Sequence, residues 1–124
     1  MSDTTAEPLT KQELHYLAMN LTGETLKELN YEFIAVNSKL GVLPQFVCMD
    51  AEKQYYFVMV KHVAFPNDPK LYDHQLMKRF CKHAQEKNAK VIYAGVGLYN
   101  ADALEKPVYK NQPYKVDQAP LCYL

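Results

Sequence analysis

One nearly uninterrupted apolar stretch, Val91 to Tyr99, restricts the fold of this chain more than any other segment. A strand that is covered on both faces has a continuous apolar sequence, whereas a half-exposed strand alternates. The stretch is far shorter than the roughly 20 residues that span a bilayer. It therefore predicts a buried strand in a sheet with structure on both sides.

The segment before this strand predicts part of its cover. Pro66 to Pro69 interrupts the chain, and a helix is expected after it, ending near Asn88. A strand, a helix and a second strand in succession form a right-handed crossover, which makes the two strands parallel. The apolar face of the expected helix consists of Leu76, Met77, Phe80, Cys81 and Ala84.

Three extended segments rich in Tyr, Phe, Val and Ile precede that helix, at residues 31–37, 45–49 and 54–62. The turns between them, 38–44 and 50–53, predict an antiparallel meander. Side chains alternate along a strand. One face of the third strand should therefore carry Phe57, Met59 and Lys61, and the other Tyr56, Val58, Val60 and His62.

A capping box marks the start of the first helix, because Thr10 and Glu13 can each satisfy a free backbone donor of the first turn. Asn30 is expected to end this helix in the left-handed conformation. Gly23 weakens its middle, where a kink or break is expected. The predicted apolar stripe is Leu14, Leu17, Ala18 and Leu21, completed by Leu29.

The length of 124 residues suits one domain, with a flexible N-terminus at 1–9, a core at 10–99 and a tail at 100–124. The tail is rich in Pro and Tyr and is expected to be irregular. Disordered segments are poor in aromatic residues, so the tail should pack on the core. The fold class is thus α/β, a mixed sheet flanked by helices.

Charge and cysteine content limit the functional classes. Fourteen basic residues balance fourteen acidic ones, which does not favour nucleic-acid binding, although a local basic patch stays open. The polar, acidic N-terminus lacks a signal-peptide pattern, and no apolar run is long enough for a membrane helix, so we expect a cytoplasmic protein. Cys48, Cys81 and Cys122 are too widely spaced for a disulfide framework or a CxxC site. No cofactor is predicted.

The order helix, three-stranded meander, helix, strand resembles the core of the PD-(D/E)XK nuclease superfamily, which includes restriction-endonuclease-like and resolvase-like members, over residues 10–99. In that family an Asp on the second strand and a Glu-x-Lys trio on the third bind Mg²⁺. Pro44-Gln45 resembles the Pro-Asp step, and Met59-Val60-Lys61 resembles the trio. The resemblance therefore implies a restriction-endonuclease-like αβββαβ core with Lys61 retained and both carboxylates replaced.

The replacements bear on catalysis, because Mg²⁺ requires hard oxygen ligands, and neither the neutral Gln45 nor the thioether of Met59 is a suitable one. No metal site is predicted. Some members of the superfamily relocate a carboxylate, and the candidates here are Glu13, Glu32 and Asp50. Each also has a structural explanation: Glu13 as the capping-box partner, Glu32 as a solvated strand residue and Asp50 as a turn former.

Two other patterns are given structural interpretations. His62, His74 and His83 have no zinc-ligand spacing and are predicted to be surface residues. Gly95-Val96-Gly97 lacks the third glycine of a dinucleotide-binding loop. Its glycines are expected to allow close approach of a neighbour, for which the tail is the candidate.

Three functional hypotheses follow. The first is a catalytically inactive nuclease-like domain that serves as a binding or assembly module. The second is a metal-dependent nuclease in which relocated carboxylates converge near Lys61. The third is an association with a sodium-translocating NADH-quinone reductase. Short chains that resemble this one carry the name of a subunit of that complex, and the true subunit resembles a flavin and iron-sulfur protein. Ten tyrosines also leave a homodimer or another protein partner open.

Overall fold

The apolar strand lies inside a six-stranded mixed sheet in the computed structural model, which describes residues 6–124. The order of the sheet is β1-β2-β3-β4-β5, with β6 also paired to β4. Only the pair β3 and β4 is parallel among these pairings, as the crossover predicts. The elements are α1 (Lys11–Glu28), β1 (Glu32–Val36), β2 (Phe46–Met49), β3 (Tyr55–Val63), α2 (His74–Glu86), β4 (Ala89–Asn100), β5 (Tyr114–Gln118) and β6 (Cys122–Tyr123).

One helix covers each face of the sheet, which explains why β4 is apolar throughout. The α1 face holds one buried cluster, in which Ala18, Met19 and Leu26 meet Tyr56, Val58, Val60, Ile92, Ala94 and Val96. The α2 face holds a second cluster, which includes Phe57, Met59, Met77, Phe80, Ala84, Val91 and Tyr93. The predicted division of β3 into two faces is confirmed. Within residues 6–124 no helix is long and apolar enough to cross a membrane.

The predicted start and end of α1 are confirmed, but its buried stripe is displaced. Thr10 and Glu13 form both hydrogen bonds of the capping box, and Asn30 has a φ of 66°. The helix continues through Gly23 without a break. Leu29 is 53% exposed, so its placement in the core was wrong. The fully buried residues are His15, Ala18, Met19, Thr22 and Leu26, whereas Leu14, Leu17 and Leu21 are partly buried.

The tail is more regular than its composition predicts. Residues 114–118 and 122–123 form β5 and β6, so the prediction of an irregular tail was wrong there. The tail also pairs with residues 7–9, which were expected to be flexible: Leu9 N–H donates to Val108 O at 2.8 Å, and Lys110 N–H to Glu7 O at 2.8 Å. Residues 1–5 of the expected flexible N-terminus lie outside the described residues.

The two glycines of β4 do mark close approach, although not of the tail. A Cβ at Gly95 would overlap the backbone carbonyl of Pro69, and one at Gly97 would overlap the ring of Tyr99. The segment before α2 thus crosses β4 at Gly95. Glycine is required there because a side chain would occupy the space of a backbone atom.

Candidate functional site

Gln45, at the position where the family resemblance expects an aspartate, is buried at the start of β2 and is 3% exposed. Its carboxamide oxygen accepts a hydrogen bond from the backbone N–H of Val60 at 2.8 Å, and its amide nitrogen donates to Val42 O at 3.1 Å. The register of β2 and β3 begins at Phe46 and Val58, so Val60 lies beyond the last paired residue. Gln45 therefore supplies the acceptor that a continuing strand would have offered.

Met59 is part of the apolar packing beneath α2. It is 5% exposed and belongs to the cluster that contains Phe57, Met77 and Tyr93. A carboxylate at this position would have to be buried among apolar side chains, which is costly unless it is paired. The thioether is thus accounted for by the core.

Lys61 is exposed near the end of β3, beyond the stretch that β2 covers. It lines a small apolar cavity on the α2 face with Met59, Leu71 and Tyr93, and also a second cavity on the α1 side. The position is accessible to a ligand from either face because no neighbouring strand covers that edge of β3.

The three candidate carboxylates are not brought together at Lys61. Glu32 pairs with Met49, which pairs with Tyr55, and Asp50 follows Met49, so both lie near the start of β3. Lys61 is six residues further along, about 20 Å at a strand rise of about 3.3 Å per residue. Residues 6–124 contain no group of three His, Cys, Asp or Glu side chains that could hold a metal ion.

Glu13 and Asp50 are held by hydrogen bonds to nearby groups, and Glu32 faces solvent. The backbone N–H of Thr10 lowers the pKa of Glu13, whose other oxygen lies 3.9 Å from Lys110 Nζ. The backbone N–H of Gln54, and then that of Glu52, lower the pKa of Asp50, which also accepts from the Tyr56 hydroxyl. Glu32 is exposed. The capping and turn explanations of Glu13 and Asp50 are thus supported by their contacts.

A pair of histidines occupies the place where α1 meets the end of β3. The ring centroids of His15 and His62 are 6.3 Å apart, and both side chains line a cavity of about 280 Å³ with Lys11, Leu40, Val60 and Lys61. His15 is 1% exposed, and its Nε2 atom has no hydrogen-bond partner among residues 6–124. A buried polar atom without a partner is uncommon, so this site differs from ordinary core packing.

The electrostatics of this pocket favour the uncharged form of both imidazoles. Burial lowers the pKa of His15. Burial also lowers the pKa of His62, and the charges of His15, Lys61 and Lys11 lower it further. Of the residues that the structure describes, no carboxylate lines this cavity. The site therefore concentrates basic groups without an internal counter-charge.

Gln12 holds the wall of the pocket in place. Its amide nitrogen donates to Ser38 O at 2.9 Å, and its side-chain oxygen accepts from Leu40 N–H at 3.0 Å. These two bonds fix the 38–44 turn, and Leu40 with it, against the first turns of α1. Gln45 ends the same turn, so both glutamines position the elements that enclose the pocket.

His15 was not identified from the sequence, and His62 was predicted to be a surface residue. The second prediction was wrong, because His62 is only partly exposed and faces α1. His74 and His83 are exposed, as predicted. A usable signal did exist: His15 precedes Ala18 and Met19 at helical spacing, and His62 continues the alternation of Val58 and Val60. Both histidines therefore extend apolar faces that pack together.

The comparisons with known proteins add one match. The family model of a domain of unknown function, DUF8840, matches residues 12–123, a range that includes all six strands, α2 and all of α1 except its first residue. A search of the curated proteins and a search of the solved structures each return no match.

Proposed function

Because the chain belongs to the DUF8840 family, whose description names no activity, we propose its function from its own residues: a nuclease-like α/β domain that binds a ligand and does not cleave it. The observation that carries this proposal is the side chain of Gln45, whose amide oxygen and nitrogen are each engaged in a hydrogen bond, to Val60 and Val42. A neutral amide engaged in this way supports the sheet and lacks the negative charge that Mg²⁺ ligands supply.

Two further features support the nuclease-like part of the proposal. The elements from α1 to β4 follow the order helix, three strands, helix, strand. Strands β1 to β4 are also neighbours in sequence order, with only β3 and β4 parallel among them. This is the arrangement that the resemblance implies for its αβββαβ core. Fold alone does not establish activity, so the functional step depends on the site.

The two alternatives remain hypotheses with weaker support. A metal-dependent nuclease would need Glu13, Glu32 or Asp50 to converge near Lys61. Glu32 and Asp50 lie about 20 Å away along the strand, and Glu13 contacts Thr10 and Lys110. A redox centre would need clustered cysteines, but Cys48 is buried on the α1 face while Cys81 and Cys122 pack against the α2 face. A visible absorption spectrum of the purified protein would detect a bound flavin or iron-sulfur group.

Metal titration tests the proposal. Thermal unfolding is followed while Mg²⁺ or Mn²⁺ is raised to millimolar concentration, and cleavage of single-stranded, double-stranded and branched DNA is assayed in parallel. We expect an unchanged Tm and no cleavage. A Tm increase of several degrees, with cleavage that Lys61→Ala abolishes and Lys115→Ala preserves, would overturn the proposal, because a ligand that binds the native state stabilises it.

A further inference from the structure

The pocket between α1 and the end of β3 has the composition of an anion site. It is lined by Lys11 and His15 of α1, by Lys61 and His62 of β3, and by the apolar side chains of Leu40 and Val60. Its two lysines are cationic, its two histidines are hydrogen-bonding groups whose protonated form a bound anion favours, and none of the lining residues within 6–124 is acidic. Basic groups without a counter-charge attract an anion from solution.

We propose that this pocket binds the phosphate group of a small molecule. The inference rests on the proposed binding function and gives it a ligand class and a location. The decisive feature is His15 Nε2, a polar atom that has no hydrogen-bond partner in the described part of the chain. It belongs to a side chain that is only 1% exposed and that lines the cavity. A phosphate oxygen in the cavity would give this atom a partner.

The four polar side chains can contact a bound phosphate in different ways. Lysine is a flexible point charge, and Lys11 and Lys61 are exposed enough to close over a ligand from two elements. Each imidazole can donate a hydrogen bond, and a protonated imidazole donates from both nitrogens. Leu40 and Val60 exclude water from one side, which strengthens the interaction between charges.

The size and surroundings of the pocket favour a small ligand over a nucleic acid. A volume of about 280 Å³ lies just below the roughly 300–1,000 Å³ of sites for drug-sized molecules. Binding to a nucleic-acid backbone requires a row of phosphate contacts. Here the pocket holds two lysines and two histidines, in a chain with no net charge.

Isothermal titration with inorganic phosphate, in a metal-free buffer with EDTA, tests the proposal. Wild-type protein is expected to bind one phosphate, more weakly as ionic strength rises. Lys61→Ala should weaken binding by about five-fold, as expected for one exposed charge contact. The single variant His62→Gln should weaken binding more than Lys61→Ala does. Lys115→Ala, an exposed strand lysine outside the pocket, should bind as wild type does.

Each outcome has a defined meaning. Absence of phosphate binding by folded wild-type protein, or equal affinities for wild type and Lys61→Ala, would overturn the phosphate site. Tighter binding of a short single-stranded DNA than of phosphate or a mononucleotide would overturn the small-molecule assignment. Lys61→Ala removes an exposed side chain, so its result does not depend on whether His62→Gln folds. The metal titration above is independent, so failure of the phosphate site leaves the non-cleaving function to be judged separately.

Discussion

The carboxamide oxygen of Gln45 lies 2.8 Å from the backbone nitrogen of Val60 and accepts its hydrogen bond. Val60 is followed directly by Lys61 and His62 and lies beyond the last residue of β3 that β2 pairs. A side chain at the end of one strand thus fixes the backbone that presents two pocket residues. The residue at the expected aspartate position is thereby assigned to the framework of the site.

Replacing Gln45 tests this assignment. Gln45→Ala leaves the buried N–H of Val60 without an acceptor, so we expect the free energy of unfolding to fall by about 1–3 kcal/mol. Urea unfolding measures the change. Gln75→Ala, on an exposed position of α2, is the matched control and should stay within about 0.5 kcal/mol of wild type. Equal stability of the two variants would show that the hydrogen bond is dispensable.

Met59 provides a second test, because the resemblance expects a carboxylate there. Met59→Glu would bury an unpaired carboxylate in the cluster under α2, and we expect a loss of at least about 3 kcal/mol. Met59→Leu keeps the volume and should cost less than about 1.5 kcal/mol. Equal urea midpoints for Met59→Glu and Met59→Leu would contradict this expectation, because the glutamate would then have access to solvent or to a charged partner.

The histidine pair predicts how stability depends on pH. The pKa values of His15 and His62 are lowered in the folded protein, whereas unfolded histidine titrates near about 6.5. The unfolded chain then binds more protons in mildly acidic solution. The contribution of the two neutral histidines to the free energy of unfolding is therefore fully present above about pH 6.5 and is lost as the pH falls below that value.

Tm should accordingly decrease between about pH 7 and pH 5, in a phosphate-free buffer. Removing one titrating group should flatten this decrease, so His62→Gln is expected to lose less Tm than wild type over the same interval. His83→Gln, an exposed position on α2, should follow the wild-type curve. A Tm that rises on acidification would contradict the lowered pKa values.

Two glycines should respond in opposite directions to the same substitution. Gly95→Ala places a Cβ on the carbonyl of Pro69, and we expect a loss of about 1–3 kcal/mol or more. Gly23→Ala places a Cβ 3.5 Å from the ring of Phe46 inside α1, which is ordinary contact, and should stabilise by about 0.4–1 kcal/mol. Chemical unfolding of both variants measures the contrast. A Gly95→Ala variant as stable as wild type would refute the close crossing at β4, and a destabilised Gly23→Ala variant would show that Phe46 leaves no room for the methyl group.

Most of the architecture could be predicted from local patterns. The capping box at Thr10, the positive φ of Asn30 and the alternation along β3 depend on nearby residues, so they could be read directly. The parallel pairing of β3 and β4 followed from the handedness of crossovers. The strands of the tail were missed because β5 is mostly exposed and has no apolar run, β6 has only two residues, and their pairing with β4 is set by distant residues.

The site was harder to predict than the fold. The resemblance drew attention to Met59, which packs under α2, and to Lys61, which lines a cavity on each side of β3. The histidine pocket forms where the buried stripe of α1 meets β3, and that stripe is displaced by one residue from the leucine pattern. His15 was overlooked because a polar residue among leucines gives no apolar signal. Only the packing of α1 on β3 brings it to His62.

Binding of an oxyanion at the histidine pair without a metal can be measured directly by NMR titration of the His15 and His62 ring signals. The titration runs from about pH 8 to 5, with and without inorganic phosphate, in EDTA. We expect phosphate to raise both pKa values, because a bound anion favours the protonated imidazoles. Unchanged pKa values at saturating phosphate, or a response that requires Mg²⁺, would contradict the proposed site.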